Sequence, residues 1–594
     1  MSSTEEVCPV CYGIPLRQIL QDRPQYLNLS PQLPPWDVLE KAQCKLCQLI
    51  RNTIYRDPGR LAKSRARTGP NDSKLELVWL KLGAPGARAG FRLIGRGTWA
   101  WLGFAAGPSS SSERSRNPYN NQLLRLQPRL ESMIDVERVK IWVRDCETHH
   151  TECQLEQPLG AAILGTIRFI DVVGNCIVEK TLDMPKYVAL SYVWGAVPNF
   201  RLTTANKFRL MQPGAIELGW KQLPITVRDA IELTRRLGVR FLWVDSMCLT
   251  QNDEADLERG IGIMDHIYEL SWLTIVAAGG HDANAGLVGL HPGDRLEQGL
   301  LYEVKPGIFM GAHDDLDTYL THSVYESRAW TFQEHLLARR KLYFVGNRLF
   351  FRCRESEHCE TAEDDLDSAG RILRSVDFTG YADTILLNNP LQDYARIIDQ
   401  YTGRSLTKDT DILRALAGII RRVSDKVGYP MLEGIPVEAF EHFIIFEGRN
   451  LRRRAGFPSY SWVGWRGAVY IYLRYAYQRS TGTRWIKWIE DIDVFGESAK
   501  LTGGEGLVVG QATLDGLEDT EFFKSREPCE VVLLSELSGP RHNVGEDDMY
   551  PRYQVMLLEW SDGVAERRGI GTIQNGAIWH SFKPGPQWKE ITLG

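Results

Sequence analysis

Two Cys-x-x-Cys pairs stand near the start of the chain, Cys8 with Cys11 and Cys44 with Cys47. Thiolates at that spacing are zinc ligands, and two such knuckles complete a tetrahedral site with no open position, so zinc there is structural. The interval between the pairs exceeds that of common zinc ribbons, and buried free cysteines are the alternative. Cys146, His150 and Cys153 add a third soft-ligand group. The centre of the chain offers different chemistry. Ser191, Tyr192, Trp194 and Gly195 close the run YVALSYVWG, and Asp245 crosses the end of RFLWVDSMCL. A hydroxyl and a carboxylate can fix a ligand's polar groups while the rings stack on a base. Alternation puts Ser191 and Val193 on one strand face and Tyr192 and Trp194 on the other, so one set belongs to a core. Asp245 equally suits bonds to backbone amides of the following turn. Cys248 as a nucleophile, with His266 or His281 as base, has only residue type behind it, and thiols at strand ends are usually packed. Further on, Trp330 and Glu334 stand four apart in SRAWTFQEHLLAR and share a helix face, with Arg328 either gripping a phosphate or covering the helix start.

The elements that must position these residues form a β/α alternation. Residues 187–194, between Pro185 and Gly195, read as a buried strand. A helix follows from Thr226, which with Asp229 fits a capping box, through Ala230, Ile231, Leu233 and Leu237 to a stop at Gly238. Residues 240–249 read as a second strand. Asp253 caps a second helix with Leu257, Ile261, Met264 and Tyr268 on one face, and 272–278 is a third strand. Short connections between these elements predict right-handed crossovers and a parallel sheet, whose ligand crevice lies at the carboxyl ends of its strands. A long irregular insertion then precedes a helix over 327–339 capped by Ser327. The C-terminal part reads as mixed α and β, with a helix over 411–423 and strands at 531–534 and 555–560.

With 594 residues, 43% apolar and 24% charged, the chain is an ordinary globular sequence long enough for two or three domains. The expected division is 1–180, a cysteine-bearing region; 181–356, the α/β block; and 370–594, the mixed domain. Serine-rich 107–117 and acidic 355–367 read as separators, and Gly503–Gly506 as a turn. A net charge of −5 gives no pull toward nucleic acid, and the arginine-rich stretch from 51 to 129 reads as solvated surface. No export signal and no membrane-spanning run is visible, so eleven cysteines point to a reducing compartment and the cytoplasm. Neither a Walker loop nor a glycine fingerprint follows any strand.

Three motifs in order resemble the signatures of fungal heterokaryon-incompatibility (HET) domains: YVALSYVWG at 187–195, LWVDSMCLTQ at 242–251 and RAWTFQE at 328–334. CETHHTEC, YTGRSLT and FPSYSW are similar to segments that accompany the domain. HET domains in turn look like distant relatives of the Toll/interleukin-1-receptor (TIR) fold, although the insertion over 279–326 interrupts the TIR-like order. The resemblance implies a TIR-like parallel sheet and a signalling protein that triggers cell death when incompatible fungal cells fuse. It matches Glu334 after Trp330 to the glutamate of TIR proteins that cleave NAD. On this reading Glu334 and Asp245 are catalytic, and Ser191, Tyr192, Trp194, Gly195, Arg328 and Trp330 hold the nucleotide. One carboxylate suffices to stabilise the cationic sugar, because nicotinamide is already a cationic leaving group. Two alternatives stand beside it: Glu334 as a helix ion-pair partner of Arg339 and Arg340, and a non-catalytic module acting by self-association or with protein partners.

Overall fold

The computed structural model describes residues 8, 11, 13, 14, 16, 19 and 33, then 36–55, strands within 76–105, 125–154, 165–180, 185–295 apart from 198 and 199, 298–364 apart from 300, 314, 315 and 322, then 372, 389–471, barrel segments within 487–574, and 591–594. The separator at 107–117, the turn at Gly503–Gly506 and most of the arginine-rich stretch lie outside these residues. Two compact units divide the chain: Met1–Glu326 with Leu337–Asp383, and Ser327–Leu336 with Thr384–Gly594.

In the first unit, helix α1 (Lys45–Tyr55) packs Leu46, Leu49 and Ile50 into an apolar cluster with Phe91, Leu102 and Met310 of a five-stranded sheet. Helix α2 (Val136–His149) starts at Asp135, whose carboxylate accepts from the Arg138 amide. An eight-stranded sheet follows, built from β1 (Ile167–Asp171), β2 (Cys176–Lys180), β3 (Tyr187–Tyr192), β4 (Phe241–Val244), β5 (Leu273–Ala277), β6 (Arg340–Val345), β7 (Arg348–Cys353) and β8 (Glu357–Cys359), in the spatial order 8-7-6-5-3-4-1-2.

Strands β6, β5, β3 and β4 are mutually parallel. Both flanks are antiparallel: β4 pairs with β1 and β1 with β2, while β6 pairs with β7 and β7 with β8. The sheet is therefore mixed where sequence pattern predicted a parallel one, because hairpins supply strands outside the β/α alternation. β3, β5 and β6 are buried along their whole length, as strands covered on both faces are, although β6 opens with the charged pair Arg340 and Lys341. The strand order reverses at β3, which has β4 on one side and β5 on the other.

Helix α3 (Ile225–Arg236) joins β3 to β4 but has no capping box; its N-cap is Pro224. Thr226 and Asp229 instead bond a later loop: Thr226 Oγ1 accepts from the Gly286 amide and Asp229 Oδ2 from the Leu287 amide. The run expected as a strand over 240–249 is a strand only to Val244, after which Asp245–Cys248 form a helical turn. A continuous apolar run cannot by itself distinguish buried strand from buried helix. Asp253 does cap the next helix, α4 (Glu254–Gly262), and α5 (Met264–Leu270) continues to β5.

The acidic segment after β7 is not a solvated separator over its described part. Glu357 binds Arg352, Glu360 forms a two-pronged pair with Arg295 at 2.6 and 2.7 Å, and Asp364 accepts from Arg138 and the Trp142 indole. These carboxylates are counter-charges for buried guanidinium groups, and such pairing keeps a buried charge ionised. Residues 365–367 lie outside the described chain.

In the second unit, helix α6 (Ala329–Leu337) contributes its residues up to Leu336, and α7 (Pro390–Thr402) is capped by Asn389. The helix expected over 411–423 is α8, Ala417–Val427, preceded by two 3-10 turns. The strand candidates near 531 and 555 fall in Cys529–Leu537 and Arg552–Ser561 of a closed six-stranded barrel. Among the described residues no helix is long and apolar enough to cross a membrane.

Candidate functional site

The carboxyl ends of β3 and β4 bring Tyr192, Trp194 and Asp245 of the first unit into one chain of polar contacts through Ser246, while Ser191 turns to the opposite face of β3. Ser191 is fully buried, with Oγ 2.5 Å from the Tyr325 hydroxyl, and Tyr192 places its hydroxyl 3.0 Å from Ser246 Oγ. Both side chains therefore line the interior of the strand end. Trp194 and Asp245 are half-buried. The Trp194 indole N–H donates to Asp245 Oδ1 at 3.3 Å, and the Arg201 guanidinium lies 5.0 Å from the centre of the Trp194 ring. Asp245 Oδ1 also accepts from the Ser246 amide at 2.7 Å, the turn-bonding role its position allows.

Gly195 turns the chain at φ +66°, and a Cβ there would lie 2.3 Å from the Asp282 Cβ. The loop after β3 and the loop after β5 thus touch, and the Ala283 amide donates to the Trp194 carbonyl. A half-buried carboxylate, an indole and a guanidinium at this place can engage a ligand by hydrogen bonding and stacking.

The turn that carries Asp245 is held from behind by Arg168 of β1. Its Nε donates to the Cys248 carbonyl at 2.9 Å and its guanidinium pairs with Asp256 and, at 3.3 Å, with Glu179. Asp256 also accepts from the Thr250 amide at 2.7 Å. Burial opposes ionisation of Asp256, but the Thr250 amide and Arg168 outweigh it and hold the carboxyl well below the usual range. No local pattern in the sequence marked Arg168, since its partners lie far along the chain. Cys248 is fully buried, and burial pushes its thiol up to about 12, which suits packing rather than nucleophilic attack.

The third motif lies on α6, in the second unit. Glu334 is buried, and Trp330 and Arg328 are half-buried. The helix start is tied to the YTGRSLT segment: the Ser405 amide donates to the Ser327 carbonyl at 2.6 Å and the Ala329 amide to the Ser405 carbonyl at 3.0 Å. Arg404 stacks 4.4 Å from the Phe332 ring centre and donates to the Arg328 carbonyl, and Gln333 Oε1 accepts from the Gly418 amide. Arg339 and Arg340, in the first unit, are engaged there: Arg339 donates to the carbonyls of Glu269 and Cys153, and Arg340 Nε lies 3.1 Å from Cys146 Sγ.

Among the described residues, two clusters, both in the first unit, could hold a metal ion. Cys8, Cys11, Cys44 and Cys47 bring their sulfur atoms within 4.8 Å of one another, with Cys8–Cys47 and Cys11–Cys47 at 3.6 Å. A tetrahedron with Zn–S bonds of about 2.3 Å has edges of about 3.8 Å, so the spacing suits zinc. The Cys44 thiol is pushed down by hydrogen bonds from Cys11 and Cys47, while Cys11 is pushed up by sharing its proton with Cys44 and Cys47 and by burial. Cys146, His150, Cys153 and Cys353 form a second group with the same limit on ligand separation. Sequence pattern had collected three of these four; Cys353 carried no local signal.

Residues 187–334 match the family model described as Heterokaryon incompatibility protein (HET). No curated protein and no solved structure matches the chain.

Proposed function

We propose that this chain, with a HET domain at its centre, works in heterokaryon-incompatibility-type signalling that triggers a cell-death response, and that it does so through a nucleotide, NAD, bound at the Trp194–Asp245 strand ends. The observation that carries the nucleotide reading is the Asp245 carboxylate holding the Trp194 indole, with Arg201 over the ring, at the carboxyl ends of parallel strands beside the reversal in strand order. Open α/β sheets bind ligands at such a point. The same reversal supports a TIR-like kinship. Glu334, in the second unit, is proposed as the carboxylate that stabilises the ribosyl cation as the bond to nicotinamide breaks, on its sequence likeness to the TIR glutamate alone. Water accepts the ribosyl group and nicotinamide departs neutral. Zinc in the four-cysteine cluster is proposed as purely structural, since its four ligands leave no open position.

Incubation of purified full-length protein with NAD tests this reading, with nicotinamide release measured beside Asp245→Asn and Glu334→Ala variants of unchanged melting temperature. Release by the parent and at least a hundredfold loss in Glu334→Ala is expected. No release even after forced oligomerisation, or equal release in parent and Glu334→Ala, removes the hydrolase.

A second reading, signalling by self-association without chemistry, is favoured by two side chains. Phe208 is 81% exposed and Leu218 91% exposed, on the adjacent short helices Lys207–Leu210 and Ala215–Leu218. Large apolar side chains left in water can serve as association contacts. Sedimentation of a Phe208→Ser/Leu218→Ser variant is expected to show loss of any oligomer formed by the parent.

A further inference from the structure

We infer that Cys146, His150, Cys153 and Cys353 bind a zinc ion of their own, a closed Cys3His site that fastens helix α2 to the end of strand β7. The inference is independent of the nucleotide reading. Four ligand atoms converge within 4.8 Å of one another, from a helix, the 3-10 turn behind it and a strand two hundred residues later. All three sulfur atoms belong to fully buried residues. Buried thiols that merely fill a core have no reason to surround an imidazole nitrogen.

The surroundings are those a metal requires. His150 turns Nδ1 toward the cluster, 3.3 Å from Cys353 Sγ, and Nε2 toward Asp145 Oδ2 at 3.7 Å. A carboxylate behind the outer nitrogen of a ligating imidazole fixes its tautomer and orientation. Asp145 is itself buried and held by the Ile372 amide at 2.9 Å and by His149 at 2.9 Å. The amides of Glu355 and Ser356 point at Cys353 Sγ from 3.4 and 3.3 Å, two and three residues after the cysteine. These N–H donors stabilise a thiolate. Three thiolates and a neutral imidazole on a dipositive ion leave one net negative charge, and the Arg340 guanidinium, 3.1 Å from Cys146 Sγ, offsets it. Zinc suits this soft set and tetrahedral count, and four protein ligands exclude substrate from the metal. The three thiols lose their protons to solvent on binding.

The role follows from connectivity. β7 pairs with β6, which pairs with β5 in the parallel core. A metal held by Cys353 therefore couples α2 to β7, both outside the 187–334 match, and through β6 to the strand β5 within it.

Zinc content of the full-length protein, purified without added metal, tests the site. Two ions per chain are expected in the parent, one in Cys353→Ser, one in Cys44→Ser and none in the double variant. Where a variant fails to fold, X-ray absorption at the zinc edge of the parent decides, with seven sulfur and one nitrogen donors expected across two ions. One zinc per chain with sulfur donors alone, or two zinc ions retained in a folded Cys353→Ser protein, overturns the inference.

Discussion

His150 Nδ1 lies 3.3 Å from the sulfur of Cys353, a residue 203 positions further along the chain. The approach joins the segment before the central sheet to one of the sheet's own strands, and Asp145 sits on the other side of the imidazole. If the imidazole is a zinc ligand, Asp145 governs how well it binds. Asp145→Asn is expected to weaken zinc retention at this site by roughly tenfold to a hundredfold, read by competition with a chelator, while the four-cysteine cluster is unaffected.

Arg168 is the hub that holds the Asp245 turn, bonding the Cys248 carbonyl and Asp256 from a strand outside the family match. Arg168→Met leaves Asp256 with a lost counter-charge at a nearly buried position. Breaking such a pair from one side costs about 3 kcal/mol or more, visible as a lower urea midpoint. A change below about 0.5 kcal/mol would show that Thr250 and Arg259 suffice to hold Asp256.

Asp364 gives stability a defined acid limb. Burial opposes its ionisation, but the His358 hydrogen bond and the Arg138 charge prevail, so its folded-state pKa lies well below the ordinary value of about 3.9. A carboxyl depressed by folding contributes stability that is present above the unfolded pKa and lost as pH falls through the folded one. The difference in melting temperature between the parent and Asp364→Asn is expected to be constant above about pH 5 and to shrink steadily below about pH 4. A difference independent of pH would remove the assignment.

Ser191 and Tyr325 share a hydrogen bond of 2.5 Å inside the apolar cluster of Val193, Val276 and Tyr343. Ser191→Ala and Tyr325→Phe are each expected to cost about 1 kcal/mol, and the double variant less than their sum. Strict additivity in denaturant titrations would mean that the two hydroxyls do not depend on each other.

Gly195 combines a positive φ with a backbone and side-chain neighbour at Asp282. Gly195→Ala is expected to cost about 1–3 kcal/mol and to loosen the 281–283 loop, measured by hydrogen exchange at the Ala283 amide. Unchanged protection of that amide would contradict the close contact.

Local chemistry in the sequence was enough to place the parallel strands near Tyr187, Phe241 and Leu273, because a strand buried on both faces is apolar at most positions rather than at alternate ones. The Asp253 cap and the four-cysteine group were legible for the same reason: each consists of residue types whose chemistry acts at short range or repeats as a pair. Tertiary structure alone decided the mixed sheet, since nothing within β1, β2, β7 or β8 encodes which neighbour it pairs with. It also turned the acidic segment after β7 into buried counter-charges, redirected Thr226 and Asp229 from a helix cap to the 286–287 loop, and gave the Asp245 turn its Arg168 support. Each of these is a contact between residues distant in sequence, formed only when the sheet has brought their elements together. Cys353 is the clearest instance: a lone cysteine in RCRES has no ligand pattern of its own, and it joins Cys146, His150 and Cys153 only because β7 ends beside α2.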